Sequence, residues 1–538
     1  MAARTPSLQW LLMAAAGLIV VLTSAHAPVV DEEVYLWLAG AFADDPLHPY
    51  AFHRAMQPWL EGDSTFAFAH PPLHWAWIAG WHALVGDERL WLLRSCVALP
   101  PALLLAWAVG LLARRTTRHP GLAAAAWLAS PVTALAIASG LMIDLSAAAL
   151  ATAGLAAWRE ALAAKASPAR LRWLLAAGLL LGLGVATKYP MLMLVLVVLL
   201  HAARLRRLPW SWPLWVALLG AWGAVELWIG LAHGGFHLGV VLLHAGEIAR
   251  GPLSGRILGL LTRTGLAMAP LVLISSGRKL LTFASVLGAA ALAWALPPEL
   301  STLQIAALAL LALLGAHHLG LAGAALRSAG KDQHHDGFLL GVWVLAVLLG
   351  VAAGHNFASG RYLLPAMAPL ACLLARGLKR GLAQRLAPVL LGGWAVLTIA
   401  MLVADHRYAL FLDVLARRVA STHEPAWFTG EWAFRWRLER EGWRYAVPPQ
   451  HGGELPAGAI VVGPSHAAPG ALPWERLEEL EVIPAPSDLP LRINDSFGRV
   501  GWYGETLGAL PVGWRRAPLD EVTIYRVRAG ISPANPER

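Results

Sequence analysis

The feature that most limits what this chain can become is the near-unbroken succession of apolar runs through its first four hundred residues. A bilayer's hydrocarbon core is about 30 Å thick, and a helix needs roughly 20 mainly apolar residues to cross it. Such runs begin with Leu8–Ala25, Leu90–Ala113, Pro120–Ser139, Ile143–Trp158, Trp173–Ala186 and Pro190–Ala203. They continue with Leu214–Ala232, Gly265–Ser276, Leu280–Leu296, Leu303–Ala322, Phe338–Gly354, Tyr362–Ala375 and Leu386–Val403, which makes about thirteen spans. Composition agrees: 57% of residues are hydrophobic and 14% charged, against about 25% charged in soluble domains. A purely soluble or a disordered chain is excluded. The two cysteines, Cys96 and Cys372, lie in apolar stretches, so they read as packing residues and exclude a disulfide scaffold.

The net charge of +9 would hint at nucleic acid in a soluble protein. Here the basic residues fall between apolar runs, so membrane topology accounts for them and no nucleic-acid partner is expected. Arg114, Arg115 and Arg118, then Lys165, Arg170 and Arg172, then Arg204, Arg206 and Arg207 occupy alternate short loops. Arg278 and Lys279, Arg327 and Lys331, and Arg376, Lys379, Arg380 and Arg385 continue the pattern. Those loops are expected on the cytoplasmic side, and an odd number of spans puts everything after Val403 on the other. Arg4 ahead of a run ending in Ala25-His26-Ala27 imitates a cleavable leader. A retained anchor is the preferred reading, because losing that span would break the charge alternation.

The expected fold is therefore mostly α: a polytopic membrane domain over 1–404 with a first outer loop at 28–89, and a small soluble α/β domain over 405–538. The outer loop is acidic and contains Leu73–Val85, patterned to lie flat at the interface as an amphipathic helix. In the tail, helical patterning at Tyr408–Ser421 and Glu431–Glu441 alternates with β-like runs at Ala459–Val462, Glu481–Ile483 and Val522–Val527. No repeat of fixed period is present.

Four places carry candidate chemistry. Asp31-Glu32-Glu33 follows the first span; plain solvation or topology is the more ordinary explanation for any one of the three, and the sharper one is that partial burial raises a carboxylate's basicity toward that of a proton acceptor. Asp144 opens a span with no cation nearby in sequence; it reads either as a helix cap or as a functional acid near hydrocarbon. Lys188 sits between two short spans and Arg361 at the mouth of another, where snorkelling is the ordinary explanation. Their convergence decides the reading: carboxylates from two loops and cations from two more are predicted at one depth on one face, where a lipid phosphate would sit. His70 and His74 have the spacing of a metal pair, but Pro71 and Pro72 oppose a helix and no third ligand is evident. His317, His318, His334 and His335 are explained by solvation near span ends. No cofactor and no metal is expected.

These motifs, in this order, resemble the GT-C membrane glycosyltransferases of glycosyltransferase family 39, which include protein O-mannosyltransferases and lipid A aminoarabinose transferases. The resemblance rests on Asp31-Glu32 after the first span, His70-Pro71-Pro72-Leu73, Asp144, Thr187-Lys188-Tyr189-Pro190 and Arg361-Tyr362-Leu363-Leu364-Pro365-Ala366. Phe428–Arg435 also looks like a segment of bacterial members that carry a periplasmic C-terminal domain. The aminoarabinose transferases have Lys where His70 stands and Glu where Ala69 stands, so neither their donor nor a metal site using that Glu carries over.

The resemblance implies an inverting transfer of one sugar from a polyprenyl-phosphate donor to a hydroxyl of a lipid, glycan or protein acceptor, at the periplasmic face of a bacterial inner membrane. It implies Asp31 as base, Glu32 or Asp144 as the group that orients the acceptor or tunes Asp31, and Lys188 and Arg361 as phosphate ligands, with Tyr362 and His70 supporting them. The runner-up is a secondary transporter or lipid flippase, which calls for ionisable groups near the bilayer midplane and an internal repeat. A third reading is a catalytically silent member whose tail recruits envelope partners.

Overall fold

The computed structural model describes residues 6–29, 31–50, 70–86, 88–244, 252–275, 288, 300–327, 335–355, 357–378, 381–424, 426–447, 453–465, 472–484, 489–495, 498–504 and 508–531. The expected span Leu280–Leu296, the cations Arg54, Arg278, Lys279, Lys331, Lys379 and Arg380, and Glu61, Asp63, Ala69 and His334 lie outside them. Helices dominate. Among the described residues, six helices are long and apolar enough to cross a membrane, and seven if one bent pair counts as a single span.

The expected runs become helices with physically intelligible differences. The run expected over Ile143–Trp158 extends to Ala163 and takes in Arg159 and Glu160, charges that with Asp144 lower its hydropathy. Pro120–Ser139, expected as one span, is two helices, Pro120–Ala129 and Pro131–Ala138, bent by 59°. Pro131 has no N–H to continue the ladder and holds Ser130 in the extended region. Pro190–Ala203 begins as a one-turn 3-10 segment, Tyr189–Met191, before the short helix Leu192–Arg204. The last apolar run belongs to a 41-residue helix, Leu382–Thr422. At 1.5 Å per residue it is about 60 Å long, twice the hydrocarbon thickness. It passes without a break through residue 404, where the sequence pattern had set the domain boundary.

Close helix contacts use small residues, as expected where lipid gives no hydrophobic drive to association. Gly265 in the helix Leu253–Ser275 and Gly315 in Thr302–Arg327 face each other's backbone: a Cβ on Gly265 would collide with the Leu311 carbonyl, and one on Gly315 with that of Leu261. Between the first helix and Leu90–Thr116, Glu32–Asp44 packs on Leu73–Val85. Tyr50 meets Trp75 edge to face there.

The tail is α/β. Its five-stranded sheet runs in the order Arg444–Tyr445, Trp427–Phe428, Ile460–Pro464, Glu521–Val527, Leu477–Pro484. The first two pairings are parallel and the last two antiparallel, with a bulge at Glu479/Glu481. Phe428 and Phe434 join Tyr408, Leu412 and Leu415 of the long helix in one buried cluster. Within the expected family-like segment, Glu431 pairs with Arg435 at 3.1 Å, and Arg435 lies close enough to feel the charge of Glu33 in the helix Glu32–Asp44.

Candidate active site at converging helix ends

The candidate residues stand where helices stop, and the sequence explains each stop. Asp31 immediately precedes the helix Glu32–Asp44. Asp144 is in the first turn of Ile143–Ala163, after the Ser139–Met142 break. Its helix is capped by Met142 without a side-chain bond, so Asp144 does not serve as the cap. Lys188 has extended backbone at the end of Ser167–Thr187, two residues ahead of Pro190. Arg361 and Tyr362 lie in the 3-10 turn Gly360–Leu363, directly before the helix Leu364–Gly377.

These four ends bring their charges together. Lys188 Nζ lies 2.7 Å from Asp144 Oδ1, and Arg361 Nη2 lies 2.7 Å from Asp31 Oδ2. Arg361 Nε is 3.7 Å from Asp144 Oδ2, which links the two pairs. Tyr362 lies beneath both cations: Lys188 Nζ is 4.7 Å and the Arg361 guanidinium 5.2 Å from its ring centre. The Asp144 and Lys188 side chains are buried at 8% and 3% exposure, whereas the Asp31 side chain is 35% exposed. Among the two acids, Asp31 is thus the one an incoming molecule can reach. Burial pulls the Lys188 ammonium below its ordinary range, and the Asp144 charge opposes that pull. Two acids and two bases cancel, so the cluster costs far less to bury than any member alone.

Glu32 is directed elsewhere. Its carboxylate pairs with Arg94 at 2.9 Å and accepts the backbone N–H groups of Val29 and Leu141 at 2.9 and 3.1 Å. Arg94, fully buried in the helix Leu90–Thr116, also donates to the carbonyls of His26, Ala27 and Ala138. One guanidinium therefore ties the end of the first helix, the start of the helix Glu32–Asp44 and the Ser139–Met142 break. Burial raises the Glu32 carboxyl, with Arg94 and the two N–H donors acting against it. His70 lies close enough to Asp144 for its charge to be felt, and its carbonyl accepts the Tyr50 hydroxyl at 2.9 Å. Among the described residues, no three His, Cys, Asp or Glu side chains gather in a metal-binding arrangement.

Several site residues escaped the sequence reading. His355 stacks on Tyr362 with ring centres 4.1 Å apart, and burial holds it neutral by pushing its pKa down to about 3. His74, weighed in the sequence only as half of a metal pair, meets the Tyr35 ring edge to face and donates from Nε2 to the Leu141 carbonyl at 2.8 Å. Next to Lys188, the Tyr189 hydroxyl donates to Glu226 at 2.5 Å and lies 2.7 Å from His237 Nδ1. Arg94 had a signal in the sequence, an ionisable residue inside an apolar run. Two further wall residues, Trp502 and Tyr503, come from the tail.

Fold and site define a polytopic helical membrane protein whose charges meet where helix ends converge. The sequence model of the family described as dolichyl-phosphate-mannose-protein mannosyltransferase matches residues 69–228, a stretch that includes His70, Asp144 and Lys188. The chain is thus similar to the GT-C glycosyltransferases in a matched segment as well as in the order of its motifs. Comparison with curated proteins finds no match. Among solved structures, ArnT from Cupriavidus metallidurans in the apo state is similar at 18% identity and a TM-score of 0.45, over 84% of this chain and 92% of that one. The same protein bound to undecaprenyl phosphate aligns at 18% identity and 0.43, over 86% and 94%. The Archaeoglobus fulgidus oligosaccharyltransferase in the apo form aligns at 15% identity and 0.45, over 81% of this chain and 64% of that one.

Proposed function

We propose that the chain transfers a sugar, with inversion, from a polyprenyl-phosphate donor to a hydroxyl of a lipid, glycan or protein acceptor. The reaction takes place at the extracytoplasmic face of a bacterial inner membrane crossed by about thirteen spans, with the α/β tail on the same side. The observation that carries this reading is the arrangement of Asp31, Arg361, Asp144 and Lys188: an accessible carboxylate held by a cation that also faces a second, buried ion pair. The family match over residues 69–228 supports the same class of chemistry.

A phosphodiester arriving between Lys188 and Arg361 competes with Asp31 for the Arg361 guanidinium, which suits bidentate contact, while Lys188 supplies a point charge. Asp144 keeps Lys188 in place. Released from Arg361, Asp31 takes the proton of the acceptor hydroxyl as its oxygen bonds to the anomeric carbon and the bond from that carbon to the phosphate oxygen breaks. The electron pair leaves on polyprenyl phosphate, where Lys188 and Arg361 stabilise it. Tyr362 carries both cations on its ring face, and His70 borders the site near Asp144. Glu32 acts through Arg94, orienting the backbone that presents Asp31. A transporter needs charges at span centres and a repeat, whereas this cluster stands at helix ends.

The test is transfer from labelled polyprenyl-phosphate sugar by purified protein. Asp31→Asn is expected to lower kcat by about 10²–10⁴, and Lys188→Ala and Arg361→Ala to lower kcat/KM for the donor at normal protein abundance. Wild-type rates in Asp31→Asn and Arg361→Ala would overturn the assignment.

A further inference from the structure

The tail reaches into the charged site itself. A cavity beside Asp144 and Arg361 is bounded by Ser139 and Met142 on one side and by Trp502 and Tyr503 on the other. Trp502 and Tyr503 are almost wholly buried, and they belong to the same apolar cluster as the membrane helices rather than to the cluster of the tail sheet.

The anchoring is specific. Arg263, in the helix Leu253–Ser275, donates to the carbonyls of Gly501, Trp502 and Gly508. The Trp502 carbonyl accepts the N–H of Gly360 at 2.9 Å. Its indole covers the same residue so closely that a Cβ at Gly360 would lie 2.5 Å from ring carbon Cε2. Gly360 is the residue before Arg361. On the other side, the Tyr503 hydroxyl donates to Asp405 Oδ2 at 2.9 Å and lies 3.4 Å from Ser139 Oγ, at the start of the break that leads to Asp144. The tail therefore touches both backbone segments that present the charged cluster, one through Trp502 and the other through Tyr503.

We infer that Trp502 and Tyr503 are positioning residues of the site: the tail holds Arg361 and Asp144 at the separation that lets Lys188 and Arg361 receive a lipid phosphate together. This rests on the donor-binding role proposed above for Arg361. A shift of Gly360 by a fraction of an ångström moves the guanidinium, whose bidentate geometry tolerates displacement poorly.

The experiment uses undecaprenyl phosphate itself as probe and the full-length, detergent-solubilised protein. Trp502→Ala is expected to weaken binding about tenfold, the loss of roughly one charge-assisted contact, and Trp502→Phe to restore it to within about twofold. In an Arg361→Ala background, Trp502→Ala is expected to add less than about twofold, because the tail then has no guanidinium to position. Tyr503→Phe keeps the ring, removes the hydroxyl that Asp405 and Ser139 share, and is expected to weaken binding about threefold while the protein stays folded. It carries the test if Trp502→Ala fails to fold. Binding at the wild-type level in a well-folded Tyr503→Phe or Trp502→Ala, or an equal loss from Trp502→Ala in both backgrounds, overturns the inference and leaves the donor reading standing. If the wild-type protein binds no undecaprenyl phosphate, the donor reading falls and the inference falls with it.

Discussion

Arg94 shows how much one side chain can organise. It is a cation buried in an apolar helix, paired with Glu32 and bonded to three carbonyls from two other segments. Removing one partner of such a pair leaves an uncompensated buried charge, which costs about 3–5 kcal/mol. Arg94→Ala is expected to lower the thermal midpoint of the purified protein by a corresponding amount and to reduce transfer. A loss below about 1 kcal/mol would mean that the pair is solvated and holds nothing.

His74 and His355 make a second prediction at this scale. Burial holds both neutral, His74 down to about 4 and His355 to about 3, while an unfolded chain protonates them near pH 6.5. Between those values the unfolded state binds more protons, so their contribution to stability is intact above about pH 7 and is lost as pH falls toward 4. Glu32, with its raised carboxyl, works in the opposite direction. The clean measurement is therefore a difference: the thermal midpoint of His355→Gln should fall less steeply from pH 7 to 4.5 than that of the wild type. An identical slope would show that His355 is solvated.

At the scale of the element, the sequence marks where helices stop more clearly than how they meet. Lys188 and Arg361 drew notice in the sequence because each is a cation at the end of an apolar run, at the depth expected for the carboxylates. Leu73–Val85 was legible because a short aromatic stripe between polar flanks has few other ways to bury itself. The bend at Ser130–Pro131 was not, since an apolar run of span length hides an interior proline. Crossing points are hidden for another reason: a glycine such as Gly315 reads as a weak helix former until a second helix is seen against it. Gly315→Val should force apart the helices Leu253–Ser275 and Thr302–Arg327 and cost at least about 2 kcal/mol in detergent. An unchanged thermal midpoint would place these helices farther apart than described.

At the scale of the molecule, the site is an assembly of distant parts. Ser139 and Tyr503 meet although 364 residues separate them, and no local pattern announces such a contact. The tail's strands were legible from alternation, yet its reach into the membrane helices was not, because Trp502 and Tyr503 sit in a Gly-rich connection without a recognisable motif. The charge balance of the cluster was legible only in part: Asp144, Lys188 and Arg361 could be set at one depth, but depth does not say which of Asp31, Glu32 and Glu33 meets Arg361.

The central claim is that Arg361 exchanges Asp31 for a lipid phosphate that it shares with Lys188. An experimental structure of the full-length protein with undecaprenyl phosphate tests this directly. Phosphate density is expected within hydrogen-bond reach of both Lys188 and Arg361, with the Asp31–Arg361 contact opened. Phosphate bound elsewhere while Asp31 and Arg361 stay 2.7 Å apart would contradict it.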